Sequence, residues 1–317
     1  MKNKKALLLL LSANAVSHFA QGISMLAIPW YFAKNLDAAS TFASIYAVAT
    51  FVTLFWGLYA GTLIDRFPRK NIFIGICAAS AIVLLSISSI GFVNGSIPMF
   101  GVAFVFCFTL FNYNIHYPTL YAFGQEITEK ENYSKTNSLL EVMGQSINVF
   151  SGAIAVLLIE GVDIELWGQT IMIKPWQIHE IFLMDGITYL IAMSLIYFIK
   201  YVPTVKNIIS KEPVLIRLKE GIQYLKKRPE ILHFGNASYT VFIFVLISTH
   251  LLWPIYVEKH LGELGNIYAV TKMNYAVGAL FAGFFISIIF RKSNIIFSII
   301  VLTIIALSAY CPFPNPF

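Results

Sequence analysis

Between two long apolar runs stands Gly61-Thr62-Leu63-Ile64-Asp65-Arg66-Phe67-Pro68-Arg69-Lys70, which packs one carboxylate and three cations into its last six residues. The run before it, 40–63, and the run after it, 71–93, hold no charged residue. Each is long enough for one bilayer crossing, which needs about 20 apolar residues. A short charged loop between two such runs reads as the turn of a membrane helical hairpin.

Working outward, further runs of spanning length lie at about 6–33, 97–121, 138–160, 180–201, 232–257, 267–290 and 294–312, nine with the first two. None alternates as a barrel strand would, and a lipid-embedded backbone must bond within itself, so the runs are helices. The expected fold class is an all-α integral membrane bundle. Composition agrees. The 317 residues are 58% hydrophobic, 15% aromatic and 12% charged, whereas soluble domains run about 45–50% apolar and about 25% charged. That excludes a soluble enzyme, a disordered chain and a nucleic-acid-binding domain. Lys2, Lys4 and Lys5 before Leu7–Leu11 imitate a signal peptide, with Ala13-Asn14-Ala15 as a cleavage site. Apolar character resumes at once through Phe32, so an uncleaved first helix is expected.

Alternate loops starting from the N-terminus carry 18 of the 22 basic residues; the opposite set holds only Lys34, Lys174 and Lys259, and Lys272 falls inside a helix. Cationic loops stay cytoplasmic. The expectation is a multi-pass inner-membrane protein with its N-terminus cytoplasmic and, after nine crossings, its C-terminus outside. Cys77, Cys107 and Cys311 form neither a disulfide framework nor metal spacing and read as apolar fillers. The longest cytoplasmic segment, 202–231, divides a six-helix half (1–201) from a partial half (232–317). Its stripe Leu215, Leu218, Ile222 and Leu225, beside Arg217, Lys219, Lys226, Lys227 and Arg228, predicts an interfacial helix. The segment 161–179, with Asp163, Glu165, Trp167, Pro175 and Trp176, reads as an ordered aromatic-anchored loop.

The halves repeat. Gly61, Arg69 and Lys70 recur 222 residues later as Gly283, Arg291 and Lys292, and Gly57-x-x-x-Gly61 recurs as Ala279-x-x-x-Gly283. Leu26-Ala27-Ile28-Pro29-Trp30-Tyr31 parallels Leu251-Leu252-Trp253-Pro254-Ile255-Tyr256 at an offset of 225. Parallel halves of like orientation are the layout of a rocking transporter.

The stretch Gly61–Lys70 resembles the cytoplasmic loop signature of the major facilitator superfamily, G-x-L-x-D-R-x-G-R-K, with Pro68 in place of its second glycine. Asn137-Ser138-Leu139-Leu140-Glu141, Leu183-Met184-Asp185-Gly186-Ile187-Thr188-Tyr189-Leu190 and Glu220-Gly221-Ile222-Gln223-Tyr224-Leu225 with Pro229 look like its drug-efflux branch, typified by macrolide exporters. One departure is Ser151-Gly152-Ala153-Ile154-Ala155-Val156, where that branch carries a G-P-x-x-G-G type run. The resemblance implies a secondary transporter exporting an amphipathic small molecule or drug by ion-coupled alternating access. It implies a gate built from Gly61, Asp65, Arg66, Arg69 and Lys70, with a second-half remnant at Gly283, Arg291 and Lys292.

The resemblance also implies that the first and fourth helices of each half line a cavity. The first segment sets Asn14, His18 and Gln21 on one face, the fourth adds Asn112 and His116, and the seventh adds Asn236 and Thr240, then His250. These are the candidate cavity residues, with interhelical hydrogen bonding as the bland alternative for each. His18, Glu141 and Asp185 are candidates for ion coupling; Glu141 and Asp185 lie near enough to helix ends for snorkelling or capping to compete. No phosphate loop, H-E-x-x-H or G-x-S-x-G occurs. The expectation is therefore no enzyme, no metal, no cofactor, no ATP and no nucleic acid, with an ion gradient as energy source and lipid and a small-molecule substrate as partners. A full member of the family has twelve helices, so the alternative is a truncated, non-transporting membrane fragment. In the family the motif aspartate meets the start of the eleventh helix, which the nine expected crossings would not reach. A membrane enzyme or channel has no role for the loop motif.

Overall fold

A computed structural model describes residues 3–166, 169–201 and 214–262, with single positions at 267, 274, 277 and 278. Apart from those positions, the crossings expected at 267–290 and 294–312, with Lys272, Gly283, Arg291 and Lys292, lie outside the described residues. So do the side chains of Asp65 and His250.

Among the described residues six helices are long and apolar enough to cross a membrane. They are α1 (Lys4–Trp30), α2 (Ala39–Arg66), α3 (Arg69–Asn94), α4 (Met99–Glu126), α5 (Tyr133–Glu160) and α6 (Ile178–Tyr197). A 27-residue helix such as α1 rises about 40 Å at 1.5 Å per residue, more than the hydrocarbon core needs. The chain is an all-α membrane bundle, and what is not helical sits at its ends. Between α5 and α6 an antiparallel hairpin pairs β1 (Val162–Leu166) with β2 (Gln169–Ile173), in a register from Val162↔Ile173 to Leu166↔Gln169. The loop expected there is thus ordered as a two-stranded ribbon.

Local chemistry accounts for the ends. Asn3 caps α1, its Oδ1 accepting from the Ala6 amide at 3.0 Å, while its Nδ2 donates to the Lys200 carbonyl at 2.7 Å. Gly95 stops α3 in the left-handed region at φ 74°, where a side chain would be strained. Pro68, with φ −55°, stands at the N-cap of α3, so the residue that replaces the family glycine starts the next helix at a φ its ring already holds. Pro118 lies inside α4 without ending it, as membrane helices tolerate when neighbours satisfy the freed backbone.

α1 runs between α5 and α6; α3 packs on α6 and α4, and α2 on α4. Lipid removes the hydrophobic drive between helices, so approach depends on small residues. A Cβ at Gly186 of α6 would lie 2.8 Å from the Leu85 side chain of α3, and one at Gly91 of α3 would collide with His179 of α6. Gly57 and Gly61, expected to serve close packing, meet nothing within 4 Å among the described residues.

Beyond α6, α7 (Val214–Lys227) is the amphipathic helix expected within 202–231, with Ile216, Ile222 and Tyr224 exposed. α8 (Pro229–Ile247) continues through a π-helical turn at Ser248–Leu252, one α turn at Trp253–Ile255 and a second π turn at Tyr256–Leu261. α1 also passes into a π turn, at Tyr31–Asn35. Pro254 and Val257 are buried, and Val257 and Trp253 join the main core.

Candidate functional site

A cavity of about 650 Å³ opens among α1, α2, α4, α5 and α8. Its wall is a set of helical stripes. α1 supplies His18, Gly22, Met25 and Leu26; α2 supplies Tyr46, Thr50 and Thr53; α5 supplies Glu141, Gln145, Asn148 and Gly152, with Ser151 beside them. α4 supplies Leu110, Tyr113, Asn114, Tyr117, Pro118 and Tyr121, and Phe106 one turn earlier. Steps of three and four keep each set on one helix face. From the second half, α8 adds Tyr239 and Val245, and its π turn adds Thr249. The result is a tyrosine-rich chamber of largely apolar surface with polar groups placed on every wall, the ordinary make-up of a small-molecule site.

A hydrogen-bonded polar group gathers around His18 and Glu141. His18 Nε2 stands 3.2 Å from Asn148 Oδ1, and the His18 ring meets Tyr117 edge-on at 6.2 Å. Glu141, exposed to the cavity, accepts from Tyr121 Oη at 2.8 Å and from Gln145 Nε2 at 3.0 Å. A satellite pocket of about 50 Å³ shares His18, Tyr117, Tyr121, Glu141 and Asn148 and adds Asn14. It has room for about one water.

Other expected cavity residues face neighbouring helices instead. Asn112 and His116 precede Tyr113 and Tyr117 by one residue, about 100° around the helix. That turn aims them away from the chamber. Asn112 Nδ2 donates to Ser80 Oγ of α3 at 2.7 Å; His116 Nε2 pairs with Asn14 Oδ1 at 3.0 Å and packs on Phe73. Gln21 is buried beside His18 and outside the chamber wall. Asn236 and Thr240 are exposed on α8, the Thr240 hydroxyl donating to the Asn236 carbonyl at 2.8 Å, while their neighbour Tyr239 lines the chamber. Interhelical bonding therefore accounts for Asn112 and His116, whereas Asn14 both meets His116 and lines the satellite pocket.

The coupling candidates also shift. α5 begins at Tyr133, five residues before the expected start, so Glu141 is eight residues inside it. Asp185 does not snorkel: it is 2% exposed, and its Oδ2 accepts from Ser24 Oγ of α1 at 2.7 Å.

At the opposite end of α3 from Gly95, Lys70 Nζ donates to the carbonyls of Tyr197 (2.7 Å) and Ile199 (2.8 Å) at the end of α6. A cation is favoured at a helix C-terminus, where carbonyls lack partners. Arg69 Nε lies 3.6 Å from Glu126 Oε1 at the end of α4, and Arg66 stacks over Phe67. Arg69 and Lys70 thus tie α3 to α4 and α6. At the other end of the bundle Lys259 Nζ reaches Asp37 Oδ1 at 2.5 Å. This bond holds the Asp37 carboxyl below its usual range and the Lys259 ammonium above its own. Among the described residues no cluster of His, Cys, Asp and Glu could hold a metal ion, and Cys77 and Cys107 are free.

Sequence reasoning missed the tyrosine stripe. Its signal, Tyr113, Tyr117 and Tyr121 at intervals of four, was legible beside Asn112 and His116.

A family model described as Major Facilitator Superfamily matches residues 10–317. Two relatives named Macrolide efflux protein A, from Streptococcus pyogenes and from Streptococcus pyogenes serotype M6 (strain ATCC BAA-946 / MGAS10394), are each 21% identical over 276 residues. The match covers 86% of this chain and 64% of each relative, so the chain spans less than two thirds of their length.

Proposed function

Because this chain belongs to the Major Facilitator Superfamily, we propose that it is a secondary transporter exporting an amphipathic small molecule by ion-coupled alternating access. The observation that carries this reading is the tyrosine-lined chamber of about 650 Å³, with Glu141 its one fixed charge among the described residues. Apolar walls with a few placed polar groups suit a cargo that is mostly hydrocarbon. A carboxylate among aromatic faces suits one carrying a cation. The relatives named for macrolide efflux support a drug-like cargo.

In this reading residues 1–201 form one half, 202–231 the linker and 232–317 part of the second half. The protein lies in the cell membrane with its N-terminus cytoplasmic, an orientation supported by the bias of basic residues. Lys34, Asp37 and Lys259 are then outside and Lys70 is inside. Asp65, with Gly61, Arg66, Arg69 and Lys70, forms the inner gate, and an ion gradient drives the cycle without ATP.

The test is counterflow of a radiolabelled macrolide into proteoliposomes holding the 317-residue chain. Accumulation against unlabelled macrolide inside is expected. Saturable binding with no counterflow would establish instead a membrane protein that holds cargo without cycling.

A further inference from the structure

Among the described residues Asp185 is the one buried carboxylate. It sits seven residues into α6 from Ile178, about 10 Å along the axis at 1.5 Å per residue, within the hydrocarbon-depth part of the helix. Ser24 of α1 donates to Oδ2 at 2.7 Å, and Oδ1 has no partner among the described residues. The titratable groups that feel its charge are Tyr113 from α4 and Tyr189 one turn along α6, with Cys77 of α3 beside Tyr189, all neutral at ordinary pH. No cation bonds to it from α1, α3 or α4 among the described residues.

An unpaired anion in such a place is strongly disfavoured, and the neutral acid is the form this packing accepts. The charged form needs water, which reaches Asp185 only if α1 lifts from α6. α1 is also a cavity wall: Gly22, Met25 and Leu26 line the chamber on both sides of Ser24 in the chain. Tyr113 both lines the chamber and lies close enough to feel the charge of Asp185. The other two coupling candidates differ. His18 and Glu141 have side-chain partners and stand in the chamber itself.

We propose that Asp185 is the residue that carries the coupled proton, held at Oδ1 while α1 is seated on α6 through Ser24 and released when cargo displaces α1. This rests on the transport reading above. The proton enters from one aqueous phase and leaves to the other, and no other bond is made or broken. The bistable element is the α1–α6 contact, which the charge on Asp185 and the contents of the chamber both bias.

The test uses the 317-residue chain in lipid, with two readouts. Infrared difference spectra across a pH titration should show a protonated-carboxyl band that Asp185→Asn lacks. Macrolide counterflow should persist within about twofold in Asp185→Asn, while uptake driven by a pH gradient falls at least about tenfold. Ser24→Ala leaves the acid in place and should keep the band but move the pH at which it titrates, along with the pH profile of uptake. An unchanged band or undiminished gradient-driven uptake in Asp185→Asn overturns the assignment. So does a Ser24→Ala variant with neither property moved, which decides the matter if Asp185→Asn does not fold. Absence of counterflow in the unmodified chain overturns the transport reading alone; the infrared band still decides whether Asp185 holds a proton.

Discussion

Lys259 in the second π turn beyond α8 is bonded to Asp37 in the link between α1 and α2, whereas Lys34, the residue 225 positions earlier, meets Glu160 of α5 at 3.3 Å. The offset is the one that relates Pro29 to Pro254 and Tyr31 to Tyr256. Equivalent lysines thus serve different ends, one bracing α1 on α5 and the other fastening α8 to the α1–α2 link. Asp37 takes up its position with a left-handed backbone, φ 48°, which aspartate tolerates better than most residues.

Asp37 and Lys259 are both solvent-exposed, so their bond is a light fastening. With the native cysteines replaced and Thr249→Cys installed in the chamber wall, Asp37→Ala or Lys259→Ala should raise maleimide labelling about two- to fivefold. The double variant should label no faster than either single one, and the swap Asp37→Lys with Lys259→Asp should restore the original rate.

The same pair sets a pH window. Asp37 titrates below its ordinary value, so the bond is complete above about pH 4 and is lost as pH falls through the lowered value. Lys259 titrates above its ordinary value, so the bond is complete below about pH 10 and is lost as pH rises through the raised one. Labelling of Thr249→Cys, corrected for the reagent's own pH dependence, should be flat from about pH 5 to about pH 9 relative to Asp37→Ala. A slope inside that window would show that another group controls access.

Lys70 closes the carbonyl end of α6 with two charge-assisted hydrogen bonds. Lys70→Met keeps the stem and removes the donors, and should lower stability by about 1–3 kcal/mol. Thermal unfolding in detergent should show an apparent Tm several degrees lower. An unchanged Tm would mean that the cation acts only elsewhere.

Gly91→Ala forces a methyl group into His179 and should cost about 1–3 kcal/mol through overpacking of α3 on α6. Gly75→Ala, on the open side of α3, meets nothing within 4 Å and should be neutral or slightly stabilising. Equal losses in the two variants would place the α3–α6 contact elsewhere.

Glu141→Gln removes the one carboxylate of the chamber wall among the described residues while preserving its shape. Affinity for a lipophilic cation should fall about tenfold, with little change for a neutral analogue of equal size, as scintillation proximity binding would read.

The helices were legible because hydropathy is strong: 71–93 became Arg69–Asn94, and 180–201 became Ile178–Tyr197. α5 was read short because Ser134, Lys135, Thr136 and Asn137 interrupt its apolar run at the end that leaves the membrane. The direction of the polar residues on α4 was not legible. Asn112 and Tyr113 are adjacent on a helix apolar all round, and only the neighbours decide which of the two meets the chamber. Asp185 illustrates the same limit, since its partner Ser24 is 161 residues away in the chain. The hairpin did have a local signal, the alternation of Val162-Asp163-Ile164-Glu165-Leu166, masked by the expectation of a loop.

The wide turns that follow Pro29 and Pro254 have a mechanical meaning. A π turn holds more residues than an α turn, so whatever lies beyond it is out of phase with the shaft below. The shaft of α1 is oriented by the stripe from His18 to Leu26, and that of α8 by Tyr239 and Val245. Lys34 and Lys259 lie within these wide turns, and their azimuth is therefore set separately from the shafts. The tips can be aimed at Glu160 and Asp37 without rotating the faces that meet cargo.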